Sequence, residues 1–214
     1  SITAEEGAVT MTDGKTIASG GDISLSGSAG LAISNILGDA TAGSTQVITL
    51  RSDLGNISEL TANETANIIT AGALVLDGQS IAVLGSGDLD VNVGTMDITT
   101  TSGNAGVANI ESLSGQTVVG GSSVTGILTL TVDQGDLTLA GDLSAGGIMF
   151  NLADSSAPDA ARDIIVNDGV TLSSLGAAKL LATGDVLLSD INVATGDLTI
   201  VAEGVVHDNS AGDG

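Results

Sequence analysis

Residues 74–98 read LVLDGQSIAVLGSGDLDVNVGTMDI. Apolar residues alternate with small or polar ones in Leu74-Val75-Leu76, Ile81-Ala82-Val83, Leu89-Asp90-Val91-Asn92-Val93 and Met96-Asp97-Ile98, the period of a strand with one buried face. The breaks between them, Asp77-Gly78, Gly85-Ser86-Gly87-Asp88 and Gly94-Thr95, hold residue types that accept positive φ or turn the backbone through a short side chain. Strand starts are seven, eight and seven residues apart. Three such strands make a coil of 22 residues, and a chain that turns a corner after every short strand and returns beneath itself is a β-solenoid.

Composition agrees with a long, thin core. Among 214 residues Phe150 is the only aromatic, and there are 31 Gly and one Pro, so Leu, Ile, Val, Ala and Met must fill the interior. These side chains lack the bulk to fill a wide space between two packed sheets, but like residues stacked coil above coil at about 4.8 Å fill a narrow column without voids. Hydrophobic residues make up 42% of the chain, which argues for folding despite the large net charge. No apolar run reaches the length of a membrane helix, and Thr70 and Gly72 interrupt the stretch from Ile68 to Leu76.

Charge narrows the partners. Twenty-six acidic residues against Lys15, Arg51, Arg162 and Lys179 give a net charge of −22, which repels phosphate backbones and anionic lipid, so neither nucleic-acid binding nor membrane insertion is expected. Such self-repulsion is tolerated where salt or divalent cations screen it, and this favours an extracellular setting rich in cations. The absence of Cys excludes a disulfide framework and thiol chemistry.

Outside the opening stretch the same pattern recurs more loosely. Strands are predicted at Ala8–Thr12, Asp22–Leu25, Leu31–Ser34, Val47–Leu50, Gly126–Val132, Asp136–Leu139, Ile148–Leu152, Ile164–Val166, Val170–Leu172, Val186–Leu188, Ile191–Val193 and Leu198–Val201, with shorter ones within Val107–Val119. The segment Asn56–Thr70 also has apolar spacing that a short helix uses, and is read as strand. Gly-Asp before an apolar residue begins at Gly21, Gly87, Gly135, Gly141, Gly184 and Gly196, each time entering a strand. About 21 residues per coil gives about ten coils and a rod about 50 Å long. The strongest break, residues 153–163 around Pro158, is predicted to be a loop that leaves the solenoid. Neither terminus reads as a capping element. The expectation is therefore one all-β solenoid over 1–214 with uncapped ends, about 20–22 residues per coil, forming a segment of a longer array or a subunit that stacks end to end. An antiparallel sandwich of hairpins on Asp-Gly turns is the alternative fold.

The runs GGDISLSGSAGLAIS (20–34), SGDLDVNVGTMDITTTSG (86–103), QGDLTLAGDLSAGG (134–147) and TGDLTIVAEGVV (195–206) resemble the repeats of filamentous haemagglutinin-like proteins, very large secreted surface proteins of Gram-negative bacteria. The resemblance implies a right-handed parallel β-helix, secretion to the cell surface, and an adhesive or filament-building role. Partners would be copies of the chain or flanking repeats end to end, and surface glycans or other cells.

No catalytic, cofactor-binding or metal residue is assigned. Asp88 and Asp90 flank Leu89 and should project about 7 Å apart from one outer face, with Asp97 on a neighbouring wall; a calcium site there is weighed against a solvated acidic face, and only weak or nonspecific calcium is expected. Asp133 with Asp136, and Asp185 with Asp190, are the other carboxylate pairs, read as turn residues. A β-helical carbohydrate-active domain, lyase or hydrolase in type, is the alternative function, although the chain has no Tyr or Trp for sugar stacking. His207 and the threonines 99, 100, 101, 129, 131 and 138 are read as ordinary surface residues, and Arg51 as pointing outward.

Overall fold

The computed structural model describes residues 1–60, 65–82, 87–101, 106–152 and 161–211. All of its strand pairings are parallel and the described residues include no helix, which decides against the hairpin sandwich and for a β-solenoid. Parallel neighbours need a crossover between them, and here the other two walls of each coil supply it.

The first wall stacks β1 (Ile2–Ala4), β4 (Ile23–Gly27), β7 (Val47–Arg51), the second half of β9 (Ile68–Gly78), the second half of β10 (Leu89–Thr100), β12 (Gln116–Val118), β14 (Leu137–Leu139), β16 (Ile164–Val166), β19 (Val186–Leu188) and β22 (Val206–Asp208). A second wall begins as the separate sheet of β2 (Ala8–Thr10), β5 (Gly30–Ile33) and β8 (Ile57–Glu59). Higher up, the first halves of β13 (Ser122–Val132) and β15 (Leu143–Asn151), with β17 (Thr171–Ser174) and β20 (Asp190–Val193), form the corresponding wall. The third wall comprises β3 (Thr16–Ala18), β6 (Asn35–Leu37) and the first halves of β9 and β10. It continues through β11 (Ala108–Ser112), the second halves of β13 and β15, β18 (Ala178–Ala182) and β21 (Leu198–Ala202).

Within the opening stretch, the four predicted strands become two long ones. Leu74–Leu76 belongs to β9, while Leu89–Val93 and Met96–Ile98 are the two halves of β10. A strand crosses the corner unbroken because one residue, Gly94, faces two, Ala71 and Gly72, and the pairing shifts there by a single position. Ile81 makes only isolated bridges to Ile57 and Ala108, and Ala82 ends the strand by turning to φ 45°, a left-handed conformation that no extended strand contains. Val83 and the turn 85–86 lie outside the described residues.

The 22-residue coil holds where it was read: Leu74 pairs with Met96 and Leu76 with Ile98. Elsewhere the spacing ranges from 19 residues (Thr16 to Asn35) to 32 (Ile36 to Ile68), because turns absorb insertions without disturbing the ladder. The predicted aliphatic column is present. Ile23, Ile48, Leu74, Met96, Val118, Leu139 and Val166 lie above one another in register, all buried, along the first wall. On the third wall Leu89, Ile110, Leu130, Phe150 and Leu180 form a second buried column.

Two polar devices reinforce the stack. Buried Gln46 spans three coils: its Nε2 donates to the carbonyls of Ser19 (2.9 Å) and Gly21 (2.5 Å), and its Oε1 accepts from the Asp39 N–H (2.5 Å) and the Thr70 hydroxyl (3.0 Å). One amide thus satisfies four groups at a corner where backbone ladders are interrupted. The second device uses the aspartates of the Gly-Asp turns. Asp22 accepts the Val47 N–H (2.9 Å), Asp136 that of Asp163 (2.9 Å), Asp142 that of Thr171 (2.9 Å) and Asp185 that of Val205 (2.8 Å). Each carboxylate caps a backbone donor one coil away, a charge-assisted bond that a turn Asn or Ser would make more weakly.

Candidate functional site

Glu59 ends β8 on the second wall, Asp88 and Asp90 flank the first residue of β10, and Glu111 lies near the end of β11 on the next coil. Register brings them together. Asp90 pairs with Glu111, and the Asp90 backbone carbonyl accepts the Asn67 N–H (2.9 Å) from the coil on its other side. Side chains at matched positions of a parallel ladder point the same way, so Asn67, Asp90 and Glu111 form one column on the outer side of the third wall.

Carboxylate oxygens of Asp88, Asp90 and Glu111 all lie within 4.8 Å of one another. Asp90 is nonetheless only 2% exposed and Asn67 fully buried, so this corner is more sheltered than a solvated acidic face. Glu59 Oε2 binds both neighbours, accepting Asn67 Nδ2 (2.7 Å) and the Asp90 N–H (3.3 Å). Burial, followed by hydrogen bonds to Asp88 and Asp133 and the negative charge of both, pushes the Glu111 carboxyl up to about 8. The physical cause is plain: removing a carboxylate from water beside two others favours its protonated form.

A pH dependence follows. The folded-state value is raised above the ordinary 4.5, so the folded chain holds a proton that the unfolded chain releases. The stability this contributes is complete below about 4.5 and is lost as pH rises through about 8. With divalent ions removed, the melting temperature of the wild type is expected to fall between pH 5 and 9, and Glu111→Gln to flatten that slope. Equal slopes in the two proteins would contradict the assignment.

The other sequence-derived candidates are dispersed. Asp97 accepts the Ser122 hydroxyl (3.1 Å) on the first wall, away from Asp88 and Asp90, as the neighbouring-wall placement anticipated. Asp133 turns toward Glu111 whereas Asp136 caps Asp163, and Asp185 caps Val205 while Asp190 opens β20. Thus neither carboxylate pair shares a partner in these bonds. His207 is exposed on β22. Arg51 is solvent-facing, with Nε 2.9 Å from Asp53 and 3.5 Å from Asp77, its ladder partner one coil on. Of the predicted excursion 153–163, residues 153–160 lie outside the described residues; at its end Arg162 is buried, and its Nη1 donates to the Leu152 carbonyl (2.8 Å).

Sequence reasoning located Asp88 and Asp90 but missed Glu111, Glu59 and Asn67. Glu111 is 21 residues beyond Asp90, close to one coil, and that spacing was the available signal. No protein-family model, curated protein or solved structure matches this chain.

Proposed function

We propose that this chain is a structural or adhesive segment of a secreted bacterial cell-surface or extracellular filament protein, acting as a rod without a catalytic centre. The observation that carries this reading is the first wall, in which ten strands stack in parallel register over an aliphatic column. Bending such a rod requires many ladder hydrogen bonds to stretch together, and the cross-coil bonds of Gln46 and the turn aspartates oppose the same motion. Its strongly negative net charge, formally −22, keeps neighbouring rods apart until cations screen it.

The adhesive component rests on the second wall. There Ser123, Ser144, Ser173 and Asn192 stack in register along a shallow groove beside Leu175, which is 66% exposed. A row of hydroxyls and an amide beside an apolar edge matches the mixed polar and apolar surface of a glycan. Copies of the chain or flanking repeats would extend the rod end to end.

Negative-stain microscopy of the native material tests the proposal. Rods or filaments about 5 nm or more in length are expected from a ladder of this size. Compact particles that release reducing ends from polysaccharides would overturn it in favour of the carbohydrate-active alternative.

A further inference from the structure

We propose that the corner formed by Asp88, Asp90 and Glu111 is a specific binding site for a hard divalent cation of the calcium class, completed by the side-chain oxygen of Asn67. The three carboxylates have oxygens within 4.8 Å of one another, a spacing that one ion spans. A separate observation comes from Asn67. It is fully buried, and its Oδ1 accepts no hydrogen bond from any described residue, a state that normally costs a folded protein free energy.

Position makes that oxygen a ligand candidate. Asn67 lies next to Asp90 in the column, and its Nδ2 is anchored on the Glu59 oxygen that also takes the Asp90 N–H. The unpartnered Oδ1 thus belongs to the residue stacked directly against Asp90 on the same outer face. Oxygen-only donors, several of them carboxylates, suit calcium, which takes six to eight oxygens in flexible geometry; three carboxylates, one amide oxygen and water reach that number. Glu59 serves as a positioning residue that fixes Asn67 and the Asp90 backbone. Among the described residues, the charged groups facing Glu111 are Asp88, Asp90 and Asp133, all acidic, a set whose charge a bound cation would balance.

Isothermal titration of the chelator-treated chain with calcium chloride in 150 mM sodium chloride tests this. One saturable site per chain is expected, with magnesium competing weakly. Glu111→Gln should weaken binding at least tenfold, whereas Asp197→Asn, which removes a carboxylate from an exposed turn, should leave it unchanged. Asp88→Asn provides a second variant should Glu111→Gln fail to fold. Absence of saturable heat, or equal affinity in the site variants and Asp197→Asn, would show only diffuse screening of surface charge and overturn the proposal.

Discussion

Gly94→Val is expected to destabilise the solenoid by about 4 kcal/mol, at the upper end of what single substitutions do. The reason is close approach of two backbones. Gly94 sits where β10 turns from the third wall to the first, opposite the extra residue of β9, and a Cβ there would overlap the Ala71 carbonyl and press on that of Gly72. Neither obstacle is the far end of a flexible side chain. Both belong to a ladder held by the Ala71 N–H to the Asp39 carbonyl (2.8 Å) and the Ala73 N–H to the Gln46 carbonyl (2.8 Å), so relief requires breaking pairing across two coils. Gly14 is the contrasting position. A Cβ there meets nothing within 4 Å, and only its positive φ of 71° opposes substitution, so Gly14→Ala should cost about 1 kcal/mol. Urea denaturation followed by circular dichroism separates the two. A loss under 1 kcal/mol for Gly94→Val would mean that the corner is looser than its geometry.

Phe150→Ala should cost about 3–5 kcal/mol, while Phe150→Leu costs under about 1.5 kcal/mol. Phe150 is fully buried between Leu130 and Leu180 in the third-wall column, and it is the bulkiest apolar side chain in the core. Because the strands above and below are fixed by their own ladders, the walls cannot collapse into the space an alanine leaves. The cavity term is therefore near its maximum. Leucine restores the aliphatic column found at every other level, which is why it is tolerated. Equal losses for the two variants in a thermal melt would contradict the column picture.

Much of the architecture was legible in the residues. Alternation in Leu74–Leu76, Leu89–Val93 and Met96–Ile98 marked which side chains face inward, and the absence of aromatics other than Phe150 required a thin interior. The 22-residue step was read correctly at residues 74–98, where Leu74 stacks on Met96. The corner crossing was not. Gly94 was read as a turn between two strands, whereas a glycine with room for its neighbour's carbonyl lets one strand continue around the bend.

The acidic residues show the same division. Their number predicted a strongly negative chain, and Gly-Asp at six strand entrances predicted turns, both from local chemistry alone. Which donor each carboxylate caps, and that Asp90, Glu111 and Asn67 share one sheltered column, depends on coil-to-coil register. By itself the sequence determined an all-β chain of short strands, the inward apolar set and the charge, because period-two alternation and turn chemistry act within a few residues, while parallel pairing was settled against hairpins only by the structure. Only the tertiary structure decided which residues meet. Turn lengths vary the spacing between stacked partners from 19 to 32 residues, and the ladder, formed across coils, selects the register that keeps every apolar face inward.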